Sequence, residues 1–200
     1  MTTAAPTQIV AGAAMAALWA SFASEHIAGF WLSGKTSLLA FGLAETLTAI
    51  FFLLRTRPRT FTMNPFEWVI ALSGTFLPLL LRPTTAEPVA AAEIGLILGS
   101  AFQIAGTLSL NRSFALVPAL RDLKTGGAYR FVRHPLYLSY VISASSYLAV
   151  NFSVRNLLLI LASFGLTLAR IHFEERHLSL TPEYRAYRDR VAWRLIPFVF

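Results

Sequence analysis

Four apolar blocks at residues 8–32, 36–54, 65–81 and 89–110 follow one another with only short basic or proline-containing turns between them, such as residues 55–59. This alternation limits the fold more than any other feature. A hydrocarbon core about 30 Å thick is crossed by about 20 helical residues, and a helix satisfies its own backbone hydrogen bonds there. The chain is 56% apolar with a mean hydropathy of +0.58, and only 14% of its residues are charged. A soluble domain carries about 25%. A soluble globular enzyme, a disordered tail and a nucleic-acid-coating protein are therefore excluded. The absence of cysteine excludes thiol catalysis, disulfides and zinc–thiolate sites.

The first block lacks the basic leader of a secretory signal. In it Gly12, Ala16, Ala20, Ser24 and Ala28 recur every four residues, a shallow face for a neighbouring helix, and Gly95 and Gly99 repeat that spacing in the fourth block. Residues 136–172 are too long for one span and are broken by Asn151-Phe152-Ser153-Val154-Arg155. They read either as two thin spans or as a helical hairpin that does not fully cross. The expected fold is an all-α, polytopic integral membrane protein with five to six transmembrane segments, including a C-terminal helical hairpin, plus an interfacial C-terminal helix. Residues 1–110 form a transmembrane scaffold of four helices. Residues 111–200 form a cytoplasm-facing half with a loop, the hairpin and an amphipathic tail.

Charge sets the expected orientation, because short cytoplasmic loops accumulate Lys and Arg. One set of turns holds fourteen basic residues and the opposite set only Lys35, Arg82 and Arg155. Both termini are thus expected in the cytoplasm, at a bacterial-type inner membrane. The net charge of +7 lies wholly in residues 111–200, since residues 1–110 carry five basic and five acidic residues. Functional chemistry is expected in that second half.

Two segments there concentrate reactive side chains. In the loop 124–137, Gly126-Gly127 permits a tight turn and Pro135 suits the first turn of a helix. Arg133, His134 and Tyr137 then surround a helix start, where backbone donors and a guanidinium favour an anion. Near the end of the last apolar stretch, adjacent Glu174 and Glu175 oppose the helix dipole and need partners or a cationic ligand. Arg170 stands four residues before Glu174 as one such partner. His134, His172 and His177 with these acids show no familiar metal-ligand spacing, so no metal is expected. Thr181-Pro182-Glu183 reads as a helix start, from which Tyr184, Tyr187 and Val191 share one face of a short interfacial helix.

The order Gly127-Ala128-Tyr129-Arg130, Arg133-His134-Pro135-Leu136-Tyr137, Glu174-Glu175, Tyr184-Arg185-Ala186-Tyr187, Arg194 and Pro197 resembles the isoprenylcysteine carboxyl methyltransferase and phospholipid methyltransferase superfamily. The likeness covers about residues 109–200, with Asn111-Arg112-Ser113-Phe114 ahead of the core. Ala128 departs from it, since the family often has proline there. The resemblance implies S-adenosylmethionine enclosed at the cytoplasmic side by Tyr129, Arg133, His134, Pro135, Tyr137, Glu174, Glu175 and Tyr187. Arg133 or His134 would lie near the methionine carboxylate, Glu174 or Glu175 near the ammonium or ribose, and Tyr187 would close the site. Arg133, Glu174 and Arg194 are the residues expected to carry catalysis. The acceptor would be lipid-like or prenylated, offering a carboxylate, amine or thiol. The alternatives are an NADPH-dependent membrane reductase of a lipid or steroid-like substrate, and a non-catalytic membrane scaffold or transport component. Membrane lipids are expected partners and nucleic acid is not, while homo-oligomerisation stays open.

Overall fold

The computed structural model describes residues 6–56, 58–82, 89–113 and 115–200. Arg57, one of the fourteen basic loop residues, and Phe114 of the segment ahead of the core lie outside them. Seven α-helices are described: α1 Pro6–Ser33, α2 Thr36–Leu54, α3 Pro65–Phe76, α4 Ala90–Leu110, α5 Pro135–Val150, α6 Val154–Leu178 and α7 Pro182–Arg190. A two-residue antiparallel bridge, β1 Thr60–Phe61 with β2 Ala119–Leu120, is the only described extended pairing.

The turn between α1 and α2 is made by Gly34, whose φ of +71° is open to glycine at little cost. It folds the two helices into an antiparallel pair. Along α1 the buried positions are Gly12, Ala16, Trp19 and Ala23, a spacing of four, three and four. The expected strict four-residue stripe does not hold: each step of four turns the helix by about 400°, so Ala20, Ser24 and Ala28 drift off the contact face and are exposed. Trp19 instead packs on Phe52 of α2 with ring centroids 5.1 Å apart, beside Ala16 and Ala49. The small-residue contact of α4 is kept. A methyl group at Gly95 would fall 2.2 Å from Ser146 Oγ, and one at Gly99 2.3 Å from Ser143 Oγ, so α4 and α5 touch nearly backbone to backbone.

The expectation of five to six transmembrane segments is overturned. Among the described residues, three helices are long and apolar enough to cross a membrane: Thr36–Leu54, Ala90–Ser113 (α4 with the 3-10 turn that follows it) and Val154–Leu178. Helix α3 has 12 residues and α5 has 16, too short for a full crossing at 1.5 Å per residue. In α1, alanine, glycine and serine dilute the apolar character, and Glu25 and His26 interrupt it. The interruption at Asn151 also divides the hairpin unequally, because α6 runs for 25 residues, past the end of the apolar stretch, and carries Glu174 and Glu175 as part of the same helix.

The three long helices are apolar outside and polar within. Leu43, Leu53, Ile94, Leu98, Leu158 and Leu161 are exposed, whereas Glu45, Thr48, Ser100, Gln103, Asn156 and Thr167 are buried. Gln103 Nε2 donates to Glu45 Oε1 at 2.9 Å and to Thr48 Oγ1 at 3.3 Å, tying α4 to α2. At one end of the bundle, Asn156 donates to the carbonyls of Arg82 and Asn151 at 2.8 and 2.7 Å. At the other end Arg112 Nε donates to the Leu54 carbonyl at 2.7 Å, Arg176 pairs with Glu67, and the β bridge joins the loops. That second end gathers the loop around Arg133, the C-terminal end of α6, and α7.

Gly99→Ala should lower the thermal midpoint in detergent, by the equivalent of about 1–3 kcal/mol, because its methyl also meets the Ser143 backbone at 3.0 Å. Gly165→Ala on α6, with nothing within 4 Å, should raise it by up to about 1 kcal/mol. Differential scanning fluorimetry of the two variants checks the contrast.

Candidate functional site

Gly127 has a φ of +58° and starts a single 3-10 turn, Gly127–Arg130, that buries Tyr129. Pro135 follows at the first position of α5, where its missing N–H costs nothing. Between these two fixed points the amides of Arg133 and His134 donate to the carbonyls of Trp193 and Arg194, each at 2.9 Å. The loop and the tail after α7 thus run together as a short hydrogen-bonded ladder. The tail closes on itself as well, since the amides of Arg194, Leu195 and Ile196 all point to the Phe200 carbonyl at 2.9–3.1 Å.

Glu175 stands at the centre of this junction and is 7% exposed. Its Oε1 accepts from Arg133 Nε at 2.7 Å and lies 3.1 Å from His134 Nε2, and its Oε2 accepts from Arg194 Nε at 3.0 Å. Arg133 Nη1 donates to the carbonyls of Val191 and Ala192, both at 2.7 Å. One buried carboxylate therefore joins α6, the loop before α5 and the tail. Arg133 has little left for a ligand, and Arg194 leans outward over the Phe200 ring with its centroid 5.0 Å away.

Glu174, one residue earlier, points elsewhere. Its Oε2 accepts from the Tyr137 hydroxyl at 2.8 Å, and Oε1 has no partner among the described residues. Arg170 does not pair with it; its guanidinium sits 5.2 Å from the centre of the Tyr137 ring and donates to the Leu116 carbonyl. Glu174 and Tyr137 line a cavity of about 670 Å³, within the usual range of ligand pockets. Tyr129, His134, Tyr140, Tyr184 and Tyr187 line the same space. Tyr187 donates to the Tyr129 carbonyl at 2.8 Å, which fixes α7 over the opening. Burial raises the Tyr129 and Tyr184 hydroxyls well above their ordinary range, and Tyr187 to about 12. These hydroxyls stay protonated at neutral pH and act as donors, not bases. The Tyr184 hydroxyl is buried with no partner among the described residues.

Of the residues singled out from sequence, Tyr129, Arg133, His134, Tyr137, Glu174 and Tyr187 meet at this cavity. Pro135 is buried at the start of α5 and acts by shaping the loop. Glu175 and Arg194 do not line the cavity and form the junction behind it. Thr181 precedes α7 as expected, though its hydroxyl donates to the Leu178 carbonyl and does not cap the helix. Sequence reasoning missed Tyr140, which lies three residues after Tyr137 and so one helical turn along the same face. It also missed Glu45 and Gln103, which line the cavity farther along the bundle; a lone acid inside an apolar block was the available signal.

The unpartnered Glu174 oxygen and Tyr184 hydroxyl, set among electron-rich rings, fit a ligand that carries a cation and hydroxyl groups. The model of the isoprenylcysteine carboxyl methyltransferase (ICMT) family matches residues 91–180. It begins with α4, earlier than the resemblance read from the loop motifs, and ends just before α7. No curated protein matches the chain significantly. The matched segment takes in α4, α5 and α6, and so two of the three membrane-length helices together with the Glu174–Tyr137 side of the cavity. The likeness to that family is confined to residues 91–180, a little under half of the chain.

Glu175→Gln should lower stability by about 3–5 kcal/mol, because it leaves the buried Arg133 guanidinium without its counter-charge. Glu174→Gln should cost less than about 1 kcal/mol, having only the Tyr137 bond to alter. Thermal unfolding in detergent, with limited proteolysis of the tail as a second measure, separates the two.

Proposed function

We propose that the protein transfers a methyl group from S-adenosylmethionine to a lipid-like or prenylated acceptor at the membrane face that holds α7. The observation carrying this reading is the single cavity that joins the Glu174–Tyr137 end to an apolar wall of Trp19, Phe22, Phe41, Phe52 and Leu96. The first part suits a polar cofactor and the second a greasy acceptor. When bound, S-adenosylmethionine supplies an electrophilic methyl group on a sulfonium, and in-line attack by the acceptor leaves a neutral thioether.

Glu174 would hold the cofactor's ammonium or ribose through Oε1, and Tyr137 keeps the carboxylate aimed by donating to Oε2. Tyr129, Tyr184 and Tyr187 line the same cavity and would shield the cationic sulfur from water. Alignment and dryness matter most for such a displacement, since charge is neutralised along the reaction when the acceptor is an anion. His134 orients the loop through Glu175. A carboxylate or thiolate acceptor needs no base, whereas an amine must first lose its proton, for which Glu174 is a carboxylate that lines the cavity. Arg133 and Arg194 serve by holding the tail closed, on the cytoplasmic side, where basic turns accumulate.

Calorimetry of the purified protein should show binding of S-adenosylmethionine and no binding of NADPH. Glu174→Gln should weaken the first about ten- to a hundredfold, by loss of a charge-assisted contact. Binding of NADPH alone would establish the reductase reading, and binding of neither would favour a scaffold. A reporter tag on the C-terminus should give a cytoplasmic signal; a C-terminus on the far side overturns the assigned face.

A further inference from the structure

The cavity contains a second polar feature that methyl transfer as described leaves unused. Arg121 follows β2 and lines the cavity wall. Its Nε and Nη1 are buried, and neither has a hydrogen-bond partner among the described residues. The adjacent acid gives it nothing, because Asp122 turns outward to pair with Arg59 at 2.9 Å while its carbonyl accepts from Ser113 at 2.8 Å. The nearest charged influence is another cation. Burial and the neighbouring Arg55 together pull the Arg121 guanidinium down to about 10. Lys124 lines the same cavity.

Arg121 is half-buried, and two buried guanidinium nitrogens left without an acceptor are costly, the more so with a second positive charge nearby. Arg133 shows the contrast: its donors are consumed by Glu175 and two carbonyls, so it is part of the framework. Arg121 has the planar donor edge suited to an oxyanion and no internal partner for it. Phe52 and Leu116 line the cavity with it, and Arg55 lies over the Phe52 ring at 5.6 Å. An anion held at Arg121 would therefore sit beside an apolar wall.

We propose that Arg121, assisted by Arg55, is an anion-recognition residue inside the cavity that holds the oxyanion headgroup of an amphiphile, a carboxylate or a phosphate, whose tail lies along the apolar wall. This inference rests on the reading that the cavity takes a lipid-like acceptor. It makes Arg121 a specificity-determining residue for that acceptor, distinct from the cofactor contacts of Glu174.

The test uses the full-length protein in zwitterionic nanodiscs, titrated calorimetrically with decyl phosphate, decanoate, decanol, inorganic phosphate and S-adenosylmethionine. Decyl phosphate or decanoate should bind, and Arg121→Gln should weaken that binding about ten- to a hundredfold. Arg121→Lys should recover part of the loss. Decanol and S-adenosylmethionine should bind Arg121→Gln as they bind the parent. Without ligand, Arg121→Gln should melt at the same temperature or higher, because it removes an unpaired buried charge; a purely structural arginine would lower it. The proposal is overturned if no acidic amphiphile binds, if inorganic phosphate binds as tightly as decyl phosphate, or if Arg121→Gln weakens only S-adenosylmethionine. It is equally overturned if that variant leaves acidic-amphiphile binding unchanged. Failure of the methyltransferase reading is separate, since it shows as absent S-adenosylmethionine binding in the parent protein.

Discussion

The Glu175 carboxylate holds together parts of the chain that otherwise have little reason to meet. It accepts from Arg133 at 2.7 Å and from Arg194 at 3.0 Å, and lies 3.1 Å from His134. Charge burial of this kind succeeds only when nearly every donor and acceptor is matched. Here the backbone ladder of Arg133 and His134 with Trp193 and Arg194 supplies the rest of the match. Once the junction is formed, α6 presents Glu174 inward, α7 lies over the opening, and the tyrosines converge. The cleft depends on the junction without Glu175 or Arg194 entering it.

A second constraint comes from the apolar surroundings of the long helices. Their outer faces are leucine- and isoleucine-rich, so the polar side chains have to point inward and find one another. The Glu45–Gln103–Thr48 network and the Asn156 cluster are two results. Close contact between α4 and α5, made possible by Gly95 and Gly99, leaves room elsewhere in the bundle. The resulting cavity runs from a polar, tyrosine-rich end to an aromatic wall, as the proposed reaction between a water-soluble cofactor and a lipid-like acceptor needs.

Much of the local structure was legible in the sequence. Helix α2 covers the predicted block 36–54, and α7 begins at the predicted Pro182. The loop from Gly127 to Pro135 turns where glycine and proline allow it. Other readings failed for identifiable reasons. Residue counting along apolar runs suggested five to six crossings, yet α3 and α5 are too short and α1 too dilute for that. The four-residue stripe on α1 ignored the drift of a 3.6-residue helix. Arg170 was matched to Glu174 by spacing, but stacking on Tyr137 took its guanidinium instead.

By itself the sequence determined that the chain is helical and built for a membrane, and it pointed to the basic second half and to motif residues that meet at one cavity. Those properties follow from composition, hydrophobic period and local turn chemistry, which act over a few residues. Only the tertiary structure decided which charges are consumed and which remain available. Glu174 and Glu175 are neighbours in sequence, but successive positions on a helix point about 100° apart, so one faces the cavity and the other the junction. Arg133 and Arg121 are likewise indistinguishable as arginines; one is saturated by partners 42 to 59 residues away, and the other meets none. Pairing across such separations depends on how the helices pack, and no local pattern encodes it.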